Sequence, residues 1–239
     1  MSIEKEFYEW AAELNHRVYR EWKSNYPDWR PGFRVLYGSP ILKPTLAIIS
    51  LNPSGGEDRF KELSRYESGD FSQYRDAPYC GAQSLRSDGT RSPMSGKIQH
   101  LFGSHVEMLY YATVAFHVCF FRSRKWPEIP TPTKQKMKQF CFPIVKEITE
   151  KFQPRSILVI GFDTCGYLER ILGSFTGKTP TDRNMGHRLI EESIWESEWG
   201  TVPIFAVVHL TGARPPPSNE ERRIIRDGFH EWVMKHEPV

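Results

Sequence analysis

The chain has 239 residues, 39% of them hydrophobic and 26% charged, with 32 Lys+Arg against 29 Asp+Glu. That apolar share is too high for a disordered chain, and the length suits one sizeable core. No apolar run reaches the roughly 18 residues of a membrane span, and a net charge of +3 neither demands nor excludes nucleic acid, because phosphate is held by local patches.

Residues 3–25 carry Phe7, Trp10, Ala11, Leu14, Val18 and Trp22 at spacings of three and four, which predicts a surface helix. Pro27 and Pro31-Gly32 end it, and extended structure is expected from Arg34. Leu46–Ser50 (LAIIS) reads as a buried strand, bounded by Pro44 and by the turn chemistry of Asn52-Pro53-Ser54-Gly55-Gly56. Residues 57–96 are polar and glycine-containing, with a basic run (SLRSDGTRS), and read as a long loop, functional or mobile.

Order is expected to return as a helix over 97–110 and a strand over 112–121. After Pro127, Pro130 and Pro132 comes an amphipathic helix with the face Met137, Phe140, Cys141, Ile144, Val145, Ile148 and Phe152. Pro143 inside that pattern predicts a kink or a late start. A second buried strand, 156–160, turns at Gly161 into a helix over 164–172, and residues 174–188 read as another loop. A third strand spans 204–208 and ends at His209. The last helix begins at Ser218, which can cap it while Glu221 reciprocates.

Short, nearly continuously apolar strands alternating with helices predict a three-layer α/β sandwich with a mostly parallel central sheet. With no repeat and no composition break, residues 1–239 read as one domain, with a helix over 3–25 and a core over 34–235. The amino-terminal MSIEKEFYEW is charged where a secretory signal needs an apolar run, so a cytoplasmic setting is expected. The four cysteines, Cys80, Cys119, Cys141 and Cys165, form no CxxC pair and are expected to be thiols.

Ligands of open parallel sheets bind beyond the carboxyl ends of the strands. Those ends present Asn52-Pro53-Ser54-Gly55-Gly56, His117 with Arg122 and Arg124 beyond it, Gly161-Phe162-Asp163, and His209-Leu210-Thr211-Gly212-Ala213-Arg214. The amide of Asn52 can hold a water or read a planar ring, and His209 can donate to a developing oxyanion. There is no GxSxG elbow and no carboxylate beside Asn52, so the pattern predicts positioning and charge stabilisation rather than a nucleophilic triad.

A strand running into Ser50-Leu51-Asn52-Pro53-Ser54-Gly55, followed later by a strand ending in His209-Leu210-Thr211-Gly212-Ala213-Arg214, resembles the two signature motifs of the uracil-DNA glycosylase superfamily. The first is similar to the water-activating, pyrimidine-binding motif in its mismatch-specific form, where Asn replaces Asp. The second is similar to the His-Pro-Ser motif whose loop enters the minor groove. HVCFFRSRKWPE and CFPIVKEITEKFQPRSILVIG between them resemble further parts of the family, so the likeness spans 45–235.

Two positions depart from the family: His-Pro becomes His209-Leu210, and Phe116-His117 stands where the family's pyrimidine-reading Asn would fall. Cys119 and Cys141 fall near two ligands of the iron–sulfur branches, but their amino-terminal partners are absent, so neither a cluster nor any other cofactor or metal is expected.

The resemblance implies a base-excision enzyme that takes a flipped base into a pocket. Asn52 and His209 would be its catalytic residues, the first orienting water toward C1′ and the second stabilising the departing base. Pro53, Ser54, Gly55 and His117 would line the base pocket, with Phe71 or Tyr74 stacking on the ring. Arg86, Arg91, Arg122, Arg124, Thr211, Gly212 and Arg214 would meet DNA, joined by Lys97, Lys178 and Arg183 as weaker contacts. The partner implied is DNA, met by a monomer. Two alternatives remain open: a non-catalytic nucleic-acid or nucleobase binder of the same fold, and an unrelated α/β hydrolase of small molecules.

Overall fold

The computed structural model describes residues 3–26, 32–37, 40–53, 93–123, 125–181, 188–210 and 217–236. The helices are α1 (Ile3–Asn25), α2 (Pro93–Phe102), α3 (Val106–Tyr111), α4 (Thr131–Phe152), α5 (Phe162–Leu172) and α6 (Asn219–His236). The strands are β1 (Leu36–Tyr37), β2 (Leu46–Ser50), β3 (Thr113–His117), β4 (Ile157–Ile160), β5 (Thr176–Thr181), β6 (Ile190–Ser197) and β7 (Gly200–Val207).

The strands form one seven-stranded sheet in the order β1-β3-β2-β4-β7-β6-β5. Its four central members, β3, β2, β4 and β7, run parallel. Antiparallel strands close both sides, β1 against β3 and the β5–β6 hairpin against β7. The protein is thus a three-layer α/β sandwich. Strands buried on both faces need apolar side chains at successive positions, which is why LAIIS and ILVI read as they do.

One face of the sheet, carrying Ala47, Ile49, Phe116, Val159 and Ala206, packs under α1, α4 and α5. Trp10 and Phe7 of α1 meet Phe152 of α4 edge-on, at 5.7 and 5.4 Å between ring centroids. Arg17 reaches both carboxylate oxygens of Glu147 at 3.0 and 2.8 Å, and Trp10 Nε1 donates to the same group. The opposite face, carrying Ile48, Leu158, Ile160, Phe205 and Val207, packs under α2, α3 and α6. Phe102 and Phe229 hold α2 to α6 there, 5.0 Å apart.

Several expectations need correction. Residues 174–188 are expected as loop, but 176–181 form β5, which tolerates Pro180 as the last strand of the sheet, paired on one side only among the described residues. β6 has no counterpart in the sequence reading, since its charge masks the buried Ile190, Glu191, Ser193 and Trp195, with Glu191 held by Arg188 at 2.6 Å. The helix expected over 97–110 begins earlier, at Pro93 inside the expected loop 57–96, and divides at Gly103 (φ +51°) into α2, a 3-10 turn and α3. The strand expected over 112–121 stops at His117, although Val118 and Cys119 still donate to the Ser50 and Leu51 carbonyls. α4 runs from Thr131 through Pro143 without the late start.

Candidate functional site

Register places the two principal candidates on one line. Ser50 of β2 pairs with Ile160 of β4, and Ile160 pairs with Val207 of β7. Asn52 and His209 each lie two residues beyond that last row, with only β4 between their strands. In that last paired row two strand spacings, about 10 Å, separate the backbones of β2 and β7. The chain leaves β2 toward β3 and leaves β4 toward β7, so the sheet reverses its winding between β2 and β4. That is the switch point where α/β sheets open a crevice.

The Asn52 side chain is pinned. Its Nδ2 donates to Ser123 Oγ at 2.9 Å and to the Pro53 carbonyl at 3.2 Å. Ser123 in turn donates its backbone N–H to the same Pro53 carbonyl at 3.1 Å. Because the Pro53 carbonyl only accepts, the nitrogen must face it, and Oδ1 is the atom left to accept from a water. Ser123 is buried and was missed at the sequence level; nothing local marks it, because its partner is 71 residues away.

At the neighbouring exit, Gly161 begins α5 with φ +93°, a conformation side-chain-bearing residues rarely adopt. The His209 ring leans over it: a Cβ at Gly161 would lie 3.6 Å from His209 Cδ2. His209 thus tilts toward β4, and so toward the Asn52 side of the crevice. Burial, followed by the charge of Lys97, lowers its pKa, which favours a neutral imidazole that donates one N–H. Leu210 turns its side chain into the core, while its carbonyl accepts from Lys97 Nζ.

His117 is enclosed, at 4% exposure. Its Nδ1 lies 2.6 Å from Ser50 Oγ, joining the last rows of β3 and β2. Burial, then the Arg34 charge, push its pKa down to about 3, against an opposing contact with the Ser50 main chain. Its ring therefore stays uncharged and enclosed at the end of β3. Pro53 is buried at the exit of β2.

Arg122 is 9% exposed, which leaves little of it to meet a strand. Lys178 lies on β5, at the far side of the sheet, where Glu169 binds its ammonium at 2.7 and 2.8 Å. Ser54, Gly55, Phe71, Tyr74, Arg86, Arg91, Arg124, Arg183, Thr211, Gly212 and Arg214 lie outside the described residues. A further rim feature is Arg188, whose guanidinium stacks 3.9 Å from the Phe162 ring beside Gly161.

Cys119, Cys141 and Cys165 are buried free thiols. Burial and the neighbouring Cys119 raise the pKa of Cys141 well above the ordinary thiol value. Among the described residues, no group of three or more His, Cys, Asp or Glu is placed to hold a metal ion, and no helix is long and apolar enough to cross a membrane. Comparison with protein-family models and with curated proteins yields no match for this chain.

Proposed function

We propose that the protein is a DNA-glycosylase-like hydrolase acting on the N-glycosidic bond of a flipped base, uracil or a related deaminated or damaged base. The observation that carries this reading is the pairing of a pinned Asn52 amide with His209 across the switch-point crevice, two residues past one row of the sheet. Asn52 Oδ1 accepts from a water and directs its oxygen at C1′. The new C1′–O bond forms as the C1′–N bond breaks, and the electron pair leaves with the base. Neutral His209 donates a hydrogen bond to the base oxygen on which that charge accumulates. The water's proton passes to solvent. No strong general base is required if most of the bond breaking precedes attack, so positioning and charge stabilisation carry the rate. The reading takes DNA as the partner, met by a monomer inside the cell.

One observation favours a second reading, a nucleobase or nucleic-acid binder without excision. His117 stands where the resemblance places a pyrimidine-reading Asn, and its Nδ1 is already engaged with Ser50. Incubation with single- and double-stranded oligonucleotides carrying uracil, hypoxanthine, xanthine or a thymine mismatch separates the two. Alkali-labile abasic sites that vanish in Asn52→Ala support excision. Strand binding without abasic sites on any substrate supports the binder.

A further inference from the structure

A closed ring of contacts surrounds the residues that lead into His209. The ladders of β7 end at Val207, which pairs with Ile160 of β4 on one side and Ile190 of β6 on the other. One residue further on each side, single hydrogen bonds take over. Gly161 donates its N–H to the Val207 carbonyl at 2.7 Å, and Val208 donates its N–H to the Leu189 carbonyl at 2.9 Å. The next residues out then meet each other: the Arg188 guanidinium lies over the Phe162 ring, 3.9 Å from its centroid. The ring therefore runs from Val207 through Gly161, Phe162, Arg188 and Leu189 back to Val208, and His209 is the next residue along the chain.

Arg188 is fixed at both ends. Its Nη1 donates to Glu191 Oε2 at 2.6 Å, and that carboxylate side chain is only 8% exposed, against 45% for Arg188. Glu191 stands opposite Ala206 in the β6–β7 ladder, so one end of the guanidinium is tied to the sheet and its face to the first residue of α5. A planar guanidinium can serve both partners at once, whereas a lysine ammonium could hold the carboxylate but not cover the ring. The sheet itself does not need this link, because β6 and β7 are paired from Ile190–Val207 to Ser197–Gly200, and a partly exposed ion pair adds little to folding. What the link constrains is the chain beyond the ladders, by holding Gly161 and Leu189 against the two sides of the β7 exit. The His209 ring follows Gly161, since a Cβ there would lie 3.6 Å from His209 Cδ2 and 3.8 Å from its Cβ.

We propose that Arg188 is a positioning residue for His209: by joining Phe162 to Glu191 it closes the ring of contacts at the β7 exit and sets the direction of the imidazole. Arg188 acts through its neighbours and needs no contact with the substrate. Its consequence for excision rests on the hydrolase reading, while its hold on the His209 ring does not. The same two elements supply an internal control. Lys178 of the hairpin binds Glu169 of α5 at 2.7 and 2.8 Å, but Glu169 lies two turns along the helix from Phe162 and outside the ring of contacts. A link that merely docks the hairpin on α5 should behave alike at both places.

The test records the His209 ring signals by NMR, assigned by their loss in His209→Gln, in the wild type, Phe162→Leu, Arg188→Lys and Lys178→Gln. Phe162→Leu and Arg188→Lys both leave Glu191 paired with a cation, so neither strands a buried charge. In these two the ring signals should shift, and the titration midpoint should rise by about half a pH unit as the ring gains water. Lys178→Gln should leave signals and midpoint at their wild-type values. Single-turnover excision by the same two variants should fall about fivefold to tenfold at unchanged strand affinity. The proposal is overturned if both variants keep the wild-type signals and midpoint, or if Lys178→Gln shifts them equally. Shifted signals with undiminished excision in an active protein overturn it as well. A wild type that excises nothing removes the hydrolase reading alone, because the ring signals score the placement of His209 on their own.

Discussion

Asn52 and Ser123 are joined by a 2.9 Å hydrogen bond from the amide nitrogen to the hydroxyl oxygen, and both residues converge on the Pro53 carbonyl. This small network turns the exits of β2 and β3 into one rigid unit and fixes which atom of the amide is offered outward. Ser123→Ala should therefore reduce excision about fivefold to tenfold, the cost of one modest hydrogen bond that orients the amide, while leaving strand affinity unchanged. Asn52→Ala should cost about a hundredfold or more. Single-turnover formation of abasic sites measures both, and equal rates for Ser123→Ala and wild type would remove the positioning role.

His117 makes the fold sensitive to acid. Its pKa is about 3 in the folded protein against 6.5 in the unfolded chain, so the native state binds fewer protons between those values. Its stabilising contribution is complete above pH 6.5 and disappears as pH falls toward 3, at up to about 1.4 kcal/mol per pH unit. Urea unfolding from neutral to mildly acidic pH should follow that slope, and His117→Gln should flatten it. An unchanged slope in the variant would assign the acid sensitivity elsewhere.

His209 should titrate below its ordinary 6.5, because burial and the Lys97 charge both oppose protonation. An NMR titration of the ring protons gives the midpoint, and Lys97→Gln should move it upward. On the proposed hydrolase reading, any loss of excision from His209 protonation should fall on the acid side of its ordinary pKa. A midpoint above 6.5 would contradict the neutral-donor role.

Gly161 carries φ +93° where β4 turns into α5 under the His209 ring. Space for a methyl group exists there, with Thr164 Oγ1 at 3.5 Å and His209 Cδ2 at 3.6 Å, so the penalty of Gly161→Ala is conformational rather than steric. The expected loss is about 1–3 kcal/mol, read as a lower denaturation midpoint at constant m-value.

Features held by neighbours along the chain were legible early. The capping box at Ser218 and Glu221 forms as its spacing predicts, with both reciprocal bonds present. The helical face from Met137 to Phe152 is buried as its periodicity requires, apart from a half-exposed Phe140. β5 and β6 were not legible, because an edge hairpin needs only half its positions apolar and here carries Lys178, Glu191 and Glu192.

By itself the sequence determined the parallel centre of the sheet and the candidates at its strand ends. A strand buried on both faces must be apolar throughout, and the residues that follow it must turn. Only the tertiary structure decided which atoms those residues offer. Ser123 orients Asn52 from 71 positions away, Ser50 engages the enclosed His117, and α2 brings Lys97 to the carbonyl beside His209. Such partners are chosen by sheet register and helix packing, which bring distant segments together and leave no local pattern behind.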